Sequence, residues 1–490
     1  MIPYHPPDAG SRGEAPGAGL IKDMFRDAAD FAYRELNIGG AAVTLFYIDG
    51  LVSSQFVADE IIKPLCLTES RGSPEALLSA LWDGVVFGHS VKRRDTLGET
   101  ADDMLAGSVA VTAGGAPWCL TFEAKGFPSR GVSEPGGESI FKGAKDGFIE
   151  NLRTNTALVR RKIKNPALRF FETTVGRQTQ TAVSVVWIEG LTDPALVDSV
   201  RGRLEALDID ALLYASQLEE RVADNKWTAF PQMLASERAD RFAHYVSAGR
   251  VGILIDGLPI GYAAPGTFAE LLRAPEDYSQ NYLMASVVTL LRYACLLISL
   301  TLPAFYLSLV CRHQEIIPTA LAQSIIAAKQ DVPLMGAFEV LGMLAAFEIL
   351  LEAGMRLPKP IGQTVSIVGA LVVGQAAVEA KFVSPAVVIV IAMTGIAGFT
   401  SPNQDLSAAI RVWRIALTVL AAPLGLFGLC IGCVWLLFHL TGVESFGVSY
   451  LSPFERSSRD TLTRALFRAP LRLNRFRERA LNTLNKRNQP

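Results

Sequence analysis

Cysteine is scarce in this chain, with six in 490 residues: Cys66, Cys119, Cys295, Cys311, Cys430 and Cys433. Four of them lie in or beside apolar segments, so no disulfide framework is suggested. Cys430-Ile-Gly-Cys433 has CxxC spacing but no second pair or histidine cluster, and helix packing explains it better than a metal or redox site. Histidine is rarer still. His5, His89, His244, His313 and His439 are scattered, and none stands in an HExxH or triad-like context, so no catalytic residue, metal or cofactor is expected. A formal net charge of −2 argues against nucleic acid as a partner. GAKDG (143–147) lacks the Gly-Lys-Ser/Thr of a phosphate loop. Residues 1–19 hold no apolar run of the kind a signal peptide needs. They are rich in Pro, Gly and Ala, and 1–29 read as a disordered leader, with the following region kept in the cytoplasm.

What is present divides the chain in two. Up to about residue 280, charged and apolar residues are mixed as in globular domains; from Tyr293 to Leu440 apolar runs dominate. Within the first part, VTLFYIDGL (43–51) and VSVVWIEGL (183–191) match at an offset of 140. SVAVTAGGAPWCLTF (108–122) and RVGILIDGLPIGY (250–262) match further on as hairpins around Gly-Gly and Asp-Gly turns. Two ordered matches at nearly one spacing suggest an internal duplication of a small unit: strand, helices, hairpin. Subdomain 1 is placed at 30–146 and subdomain 2 at 167–280. A basic connecting helix at 147–166 carries Arg153, Arg160, Arg161, Lys162 and Lys164. It reads either as a solvated basic face or as an anion-binding or subunit-contact helix.

The second part, 281–440, reads as a transmembrane helical domain. Apolar segments fall at about 293–310, 334–351, 361–378, 382–399 and 409–440. Most approach the ~20 residues that a bilayer core requires. The last, at ~1.5 Å per residue, would be ~48 Å long and must tilt, project or break near Pro423. Residues 316–328 have the look of an interfacial helix. Residues 441–490 form a basic tail; ten Lys/Arg and three Asp/Glu in 455–490 place it in the cytoplasm. Both ends inside require an even number of crossings, in conflict with five segments.

Small residues recur at a step of four in Gly362, Ser366, Ala370 and Gly374, and again in Ala421-xxx-Gly425 and Gly428-xxx-Gly432. Such ridges let helices pack closely in lipid. Polar residues sit among them: Gln363, Gln375 and Glu379, and a row of Glu348, Glu352 and Arg356. Charges at membrane depth face a bundle interior or a wet cavity. Glu348, Gln375, Glu352, Glu379 and Gln363 are therefore pore candidates, although those near segment ends can instead snorkel to the interface. The fold class is an α/β cytoplasmic region of two related subdomains followed by an α-helical transmembrane bundle.

Three stretches, LPAFYLSLVCRHQEIIPTALAQSI, FEILLEAGMRLPKPIGQTVSIVGALVVGQAAVEAKFVSPAVVIVIAMTGIAGF and SFGVSYLSPF, resemble the A subunits of spore germinant receptors, the GerA family. GVSEPGGESIFKGAKDGFIENLRTNTALVRRKI is similar to that family's cytoplasmic signature, and RGVSEP with the basic tail is closest to the branch called stage V sporulation protein AF. The resemblance implies a multi-pass protein of the spore inner membrane that acts in germination in response to nutrient germinants. It implies a homo-oligomer, a pentamer, forming a channel that releases monovalent cations from the spore core. Its partners would be membrane lipid, a transporter-like B subunit and a lipoprotein C subunit. Leu351 and Leu344 stand where the family pattern often has an arginine and an acid, which lowers the charge of that segment. A non-conducting scaffold and a secondary transporter are the alternatives; an enzyme is not expected.

Overall fold

The computed structural model describes residues 11–38, 40–67, 73–85, 90–126, 146–356, 374–454 and 465–488. Its first half holds two five-stranded sheets. Strands β1 (Phe31–Ile38), β2 (Ala41–Ile48), β3 (Val91–Arg94), β4 (Ser108–Ala113) and β5 (Cys119–Glu123) lie in the order β1-β2-β4-β5-β3. All neighbours are antiparallel. Alternate residues of β2 and β4 feed two cores. Val43, Leu45, Val109 and Val111 pack with Leu77, Leu78 and Phe122 on one face. Phe46, Ile48 and Ala110 pack with Leu97, Ala101 and Met104 on the other. Burial on both faces is why these strands read as continuous apolar runs.

The second unit repeats this plan. Strands β6 (Leu168–Val175), β7 (Thr181–Ile188), β8 (Leu234–Ser236), β9 (Val251–Ile255) and β10 (Gly261–Ala264) follow the order β6-β7-β9-β10-β8. In both units a helix precedes the central hairpin: α3 (Leu97–Leu105) in the first and α7 (Ala239–Ser247) in the second, after α1 (Ala18–Met24), α2 (Pro74–Ala80), α4 (Leu152–Lys162), α5 (Pro194–Glu205) and α6 (Ala215–Val222). The glycines that close the matched Asp-Gly and Glu-Gly motifs, Gly50 and Gly190, have φ +84° and +73°. A side chain is strained in that conformation, which accounts for glycine at both places. Sequence patterning found the central strands and hairpins but passed over β1 and β6 and the short edge strands β3 and β8.

Two expectations about the first half are corrected. Residues 18–29 are not a disordered leader: Ile21, Met24 and Phe25 on and after α1 are buried among Leu97, Ala101 and Met104. Their i, i+3, i+4 spacing was the available signal. The connecting helix α4 is a solvated basic face only in part: Lys162, and Lys164 just after it, are exposed, whereas Arg153 and Arg160 turn to partners. Arg160 is wholly buried and donates to both oxygens of Asp30, at 2.6 and 2.8 Å, and to Leu168 O at 3.0 Å. Arg153 bridges Asp49 and Glu172 at 3.2 and 3.0 Å. The basic helix thus ties one α/β unit to the other.

The second half is helical: α8 (Tyr282–Arg312), α9 (Thr319–Lys329), α10 (Gly336–Arg356), α11 (Pro385–Gly398), α12 (Gln404–Leu424) and α13 (Leu426–Thr441). Among described residues, α8 and α12 are long and apolar enough to cross a membrane, and α11 and α13 are shorter apolar helices. The long 409–440 run breaks near Pro423 as expected, at Gly425, φ +63°, with Pro423 itself inside α12. There α12 and α13 fold back on each other. A Cβ on Gly432 would meet Leu417 at 2.4 Å, and one on Gly428 would meet Leu420 O at 2.3 Å. The last apolar segment thus holds two antiparallel helices rather than one. The first part of α8 and the end of α13 lie against the second α/β unit: Arg292 donates to Leu272 O at 3.3 Å and to Asp277 Oδ2 at 2.5 Å, and Leu436 and Leu440 belong to one core with Phe230, Leu234 and Tyr245. Ser445 Oγ donates to Gln232 O at 2.6 Å, and Phe268 N to Tyr450 O at 2.9 Å. The basic tail also docks on this unit, with Arg250 Nη2 3.0 Å from Glu478 Oε2.

Candidate functional site in the helical half

Near mid-length, α8 and α10 each bring one polar side chain, and α12 two, to a common point. On α12, Arg411 and Arg414 lie at i, i+3 and so share a face. Glu348 of α10 pairs directly with Arg414 Nη2, and its other oxygen is 3.3 Å from Arg411 Nη1. Ser299 of α8 accepts from Arg414 Nη1 at 3.4 Å. Arg414 is 2% exposed, and its Nε has no hydrogen-bond partner among the described residues. Two guanidinium groups, Arg414 buried and Arg411 33% exposed, face one carboxylate, an excess of positive charge among apolar helices. Isolated, any of these charges would be costly at such depth; paired, they persist.

Of the sequence candidates, only Glu348 enters this cluster. Glu352 and Arg356, placed with it in one row, turn outward and pair with each other at 2.7 Å, both exposed. Gln375 donates to Glu379 at 3.1 Å in a separate exposed pair. Gln363, and Gly362, Ser366 and Ala370 of the small-residue ridge, lie outside the described residues. Gly374 faces Val388, with an added Cβ 3.4 Å from its Cγ1. Gly428 and Gly432 face α12 within the same chain. Arg411 and Arg414 were missed because 409–440 was read as one apolar run; two arginines three apart in RVWRIALTVL were the signal.

A second electrostatic centre lies where the helices meet the α/β half. Glu270 is buried, with Arg273 Nη1 3.2 Å from one oxygen and the Tyr278 hydroxyl donating to the other at 3.2 Å. Burial alone would raise its carboxyl; Arg273, then Arg250, His244 and Arg241, outweigh that and bring it down to about 2. Nearby, burial and then Asp405 at the start of α12 push Glu219 up to about 7. A rise of pH through 7 therefore places like charges across this junction.

The family described as Bacillus/Clostridium GerA spore germination protein matches residues 19–480. The chain is 36% identical to spore germination protein KA of Bacillus subtilis, over 92% of this chain and 83% of that one. Identity to stage V sporulation protein AF of B. subtilis is lower, 28%, over 94% and 93%. The crystal structure of the N-terminal domain of the A subunit of the Bacillus megaterium germinant receptor GerK3 is similar over 52% of this chain and 97% of that one, with 28% identity and TM-score 0.42.

Proposed function

The chain belongs to the GerA family of spore germination proteins, and on that premise we propose that it is a membrane-embedded, non-enzymatic subunit of an oligomeric ion channel. Family membership supports a role in germination. The observation that carries the channel reading is the Glu348–Arg411–Arg414 cluster: ionisable groups at mid-depth of an apolar bundle mark ion paths or switches more often than they serve packing. In the conformation described, Glu348 is held by α12. It works as a latch, and its release from Arg414 opens a water-filled path for monovalent cations between or within subunits. The apolar faces left outward by α8–α13 meet lipid and neighbouring copies, in a ring of five set in the spore inner membrane, with B- and C-type subunits alongside.

Purified full-length chain in liposomes is expected to pass Rb+. Glu348→Gln is expected to change that flux by about tenfold or more, a barrier change of ~1.4 kcal/mol, while the oligomer mass is unchanged. A silent but intact oligomer would instead favour the scaffold reading, which has its own support: Glu348 finds its counter-charges within a single chain. Saturable, exchange-type flux would favour a transporter.

A further inference from the structure

At the end of the helical half farthest from the α/β region, a second polar cluster stands apart from the mid-depth latch. Tyr306 of α8, Lys329 at the end of α9, Glu339 of α10 and Ser384 before α11 converge there. Glu339 is fully buried and Ser384 is 1% exposed. The Ser384 amide donates to Glu339 Oε1 at 2.5 Å. Three side-chain oxygens, Glu339 Oε2, Ser384 Oγ and Tyr306 Oη, are buried without a hydrogen-bond partner among the described residues. The Tyr306 and Ser384 hydroxyls face each other without a well-formed hydrogen bond between them, and Glu339 lies close to Tyr306. The Lys329 ammonium stands 3.3 Å from Glu339 Oε2, an ion pair without hydrogen-bond geometry. It reaches that point past Gly336, where an added Cβ would lie 2.7 Å from Nζ and 2.9 Å from Cys311 Sγ.

Oxygens buried without a hydrogen bond are costly, and among the described residues Glu339 Oε2 is answered only by the Lys329 ammonium, so three in one place call for an occupant. The donors are all oxygen and carry one negative charge. That set suits a monovalent cation; calcium or magnesium prefers more carboxylates or more water. We propose that Glu339 Oε2, Ser384 Oγ and Tyr306 Oη form a binding site for a monovalent inorganic cation, and that the Lys329 ammonium is its built-in competitor. Lysine suits the role, being a compact point charge on a flexible stem. Glycine at 336 keeps its route open. As a station on a conduction path the site rests on the channel reading; as a binding site it does not.

The test uses the full-length oligomer in nanodiscs, with 86Rb+ as the probe and N-methyl-D-glucamine as the inert cation. Lys329→Met is expected to bind 86Rb+ at least about tenfold more tightly than the unchanged chain, and to melt at a higher temperature in Rb+ than in N-methyl-D-glucamine. The double variant Lys329→Met/Glu339→Gln is expected to lose both effects. A folded Lys329→Met chain indifferent to Rb+, or one whose binding survives Glu339→Gln, overturns the proposal. If Lys329→Met does not fold in either salt, Gly336→Ala decides. It crowds the ammonium out of its slot without removing charge, and a folded Gly336→Ala chain that gains no Rb+ binding overturns the proposal. A chain that binds Rb+ but conducts none removes the channel reading and leaves the site standing.

Discussion

The two halves of the molecule place charge in opposite ways. In the α/β half, apolar side chains fill the space on both faces of each sheet, and the deepest charge, Arg160, is fully answered by Asp30 and two backbone carbonyls. In the helical half many large apolar side chains stand outside, among them Val287, Phe305, Ile389, Val419 and Phe438, while Arg414 and Glu339 are inside. Its buried charges are also held less completely: Arg414 shares its glutamate with Arg411, and Glu339 Oε2, although paired with Lys329, has no hydrogen bond among the described residues. A closed pair fixes two bodies together. An unbalanced cluster retains capacity to bind or to rearrange, which is why the proposed function is placed in the second half, while the closed pair of the first holds its two units together.

The largest expected effect breaks the closed pair. Asp30→Ala leaves Arg160 buried and unpaired between the two α/β units, at a cost of about 3–5 kcal/mol. Denaturant unfolding of the full chain should show the loss, with the first unit melting early. A loss below ~1 kcal/mol would mean that Arg160 is answered by Asn165 and Leu168 carbonyls alone, and that the two halves treat buried charge alike.

The contrast also explains what the sequence displayed. Period and turn chemistry report packing, so the duplicated strands and hairpins were legible from VTLFYIDGL and VSVVWIEGL. The helical half was legible as apolar runs, and Glu348 stood out as a charge within one. The partners of Glu348 and Arg160 were not legible, because the pairing crosses about 66 and 130 residues of chain. The short edge strands β3 and β8 carry too few residues to show a period. The leader's helix was hidden by composition: Pro and Gly before residue 19 masked the Ile21, Met24, Phe25 stripe behind them.

Next in size is a pH effect at the junction of the halves. The Glu270 carboxyl is held at about 2, below its ordinary value near 4.5. As pH falls below that ordinary value the unfolded chain takes up the proton first, so stability drops progressively until the folded carboxyl also protonates near pH 2. The contribution lost is on the order of 3 kcal/mol. Melting curves from pH 5 to 2 should show the slope, and Glu270→Gln should flatten it. An unchanged slope in that variant would place the acid sensitivity elsewhere.

Packing in the helical half gives a smaller effect. Gly432→Val drives a side chain into Leu417 across the α12–α13 hairpin, and overpacking of this kind costs about 1–3 kcal/mol. The corresponding change at exposed Gly13, with open space around it, is expected to be silent. Thermal melting of the two variants in detergent compares them directly. Equal melting temperatures would show that the hairpin opens to accommodate the side chain.

The smallest effect sharpens the comparison from within the helical half. Glu352 and Glu348 lie one helical turn apart on α10, yet Glu352 is 56% exposed and pairs only with Arg356, itself 79% exposed. Solvent or headgroups screen such a pair, so Glu352→Gln should change stability by about 0–1 kcal/mol. It should leave Rb+ flux close to that of the unchanged chain, because among the described residues no second helix holds this carboxylate. Glu348→Gln, one turn away, removes the counter-charge of two arginines and should alter flux. If both variants reduce flux equally, the row of acids acts as one continuous lining, and the distinction between the held glutamate and the free one fails.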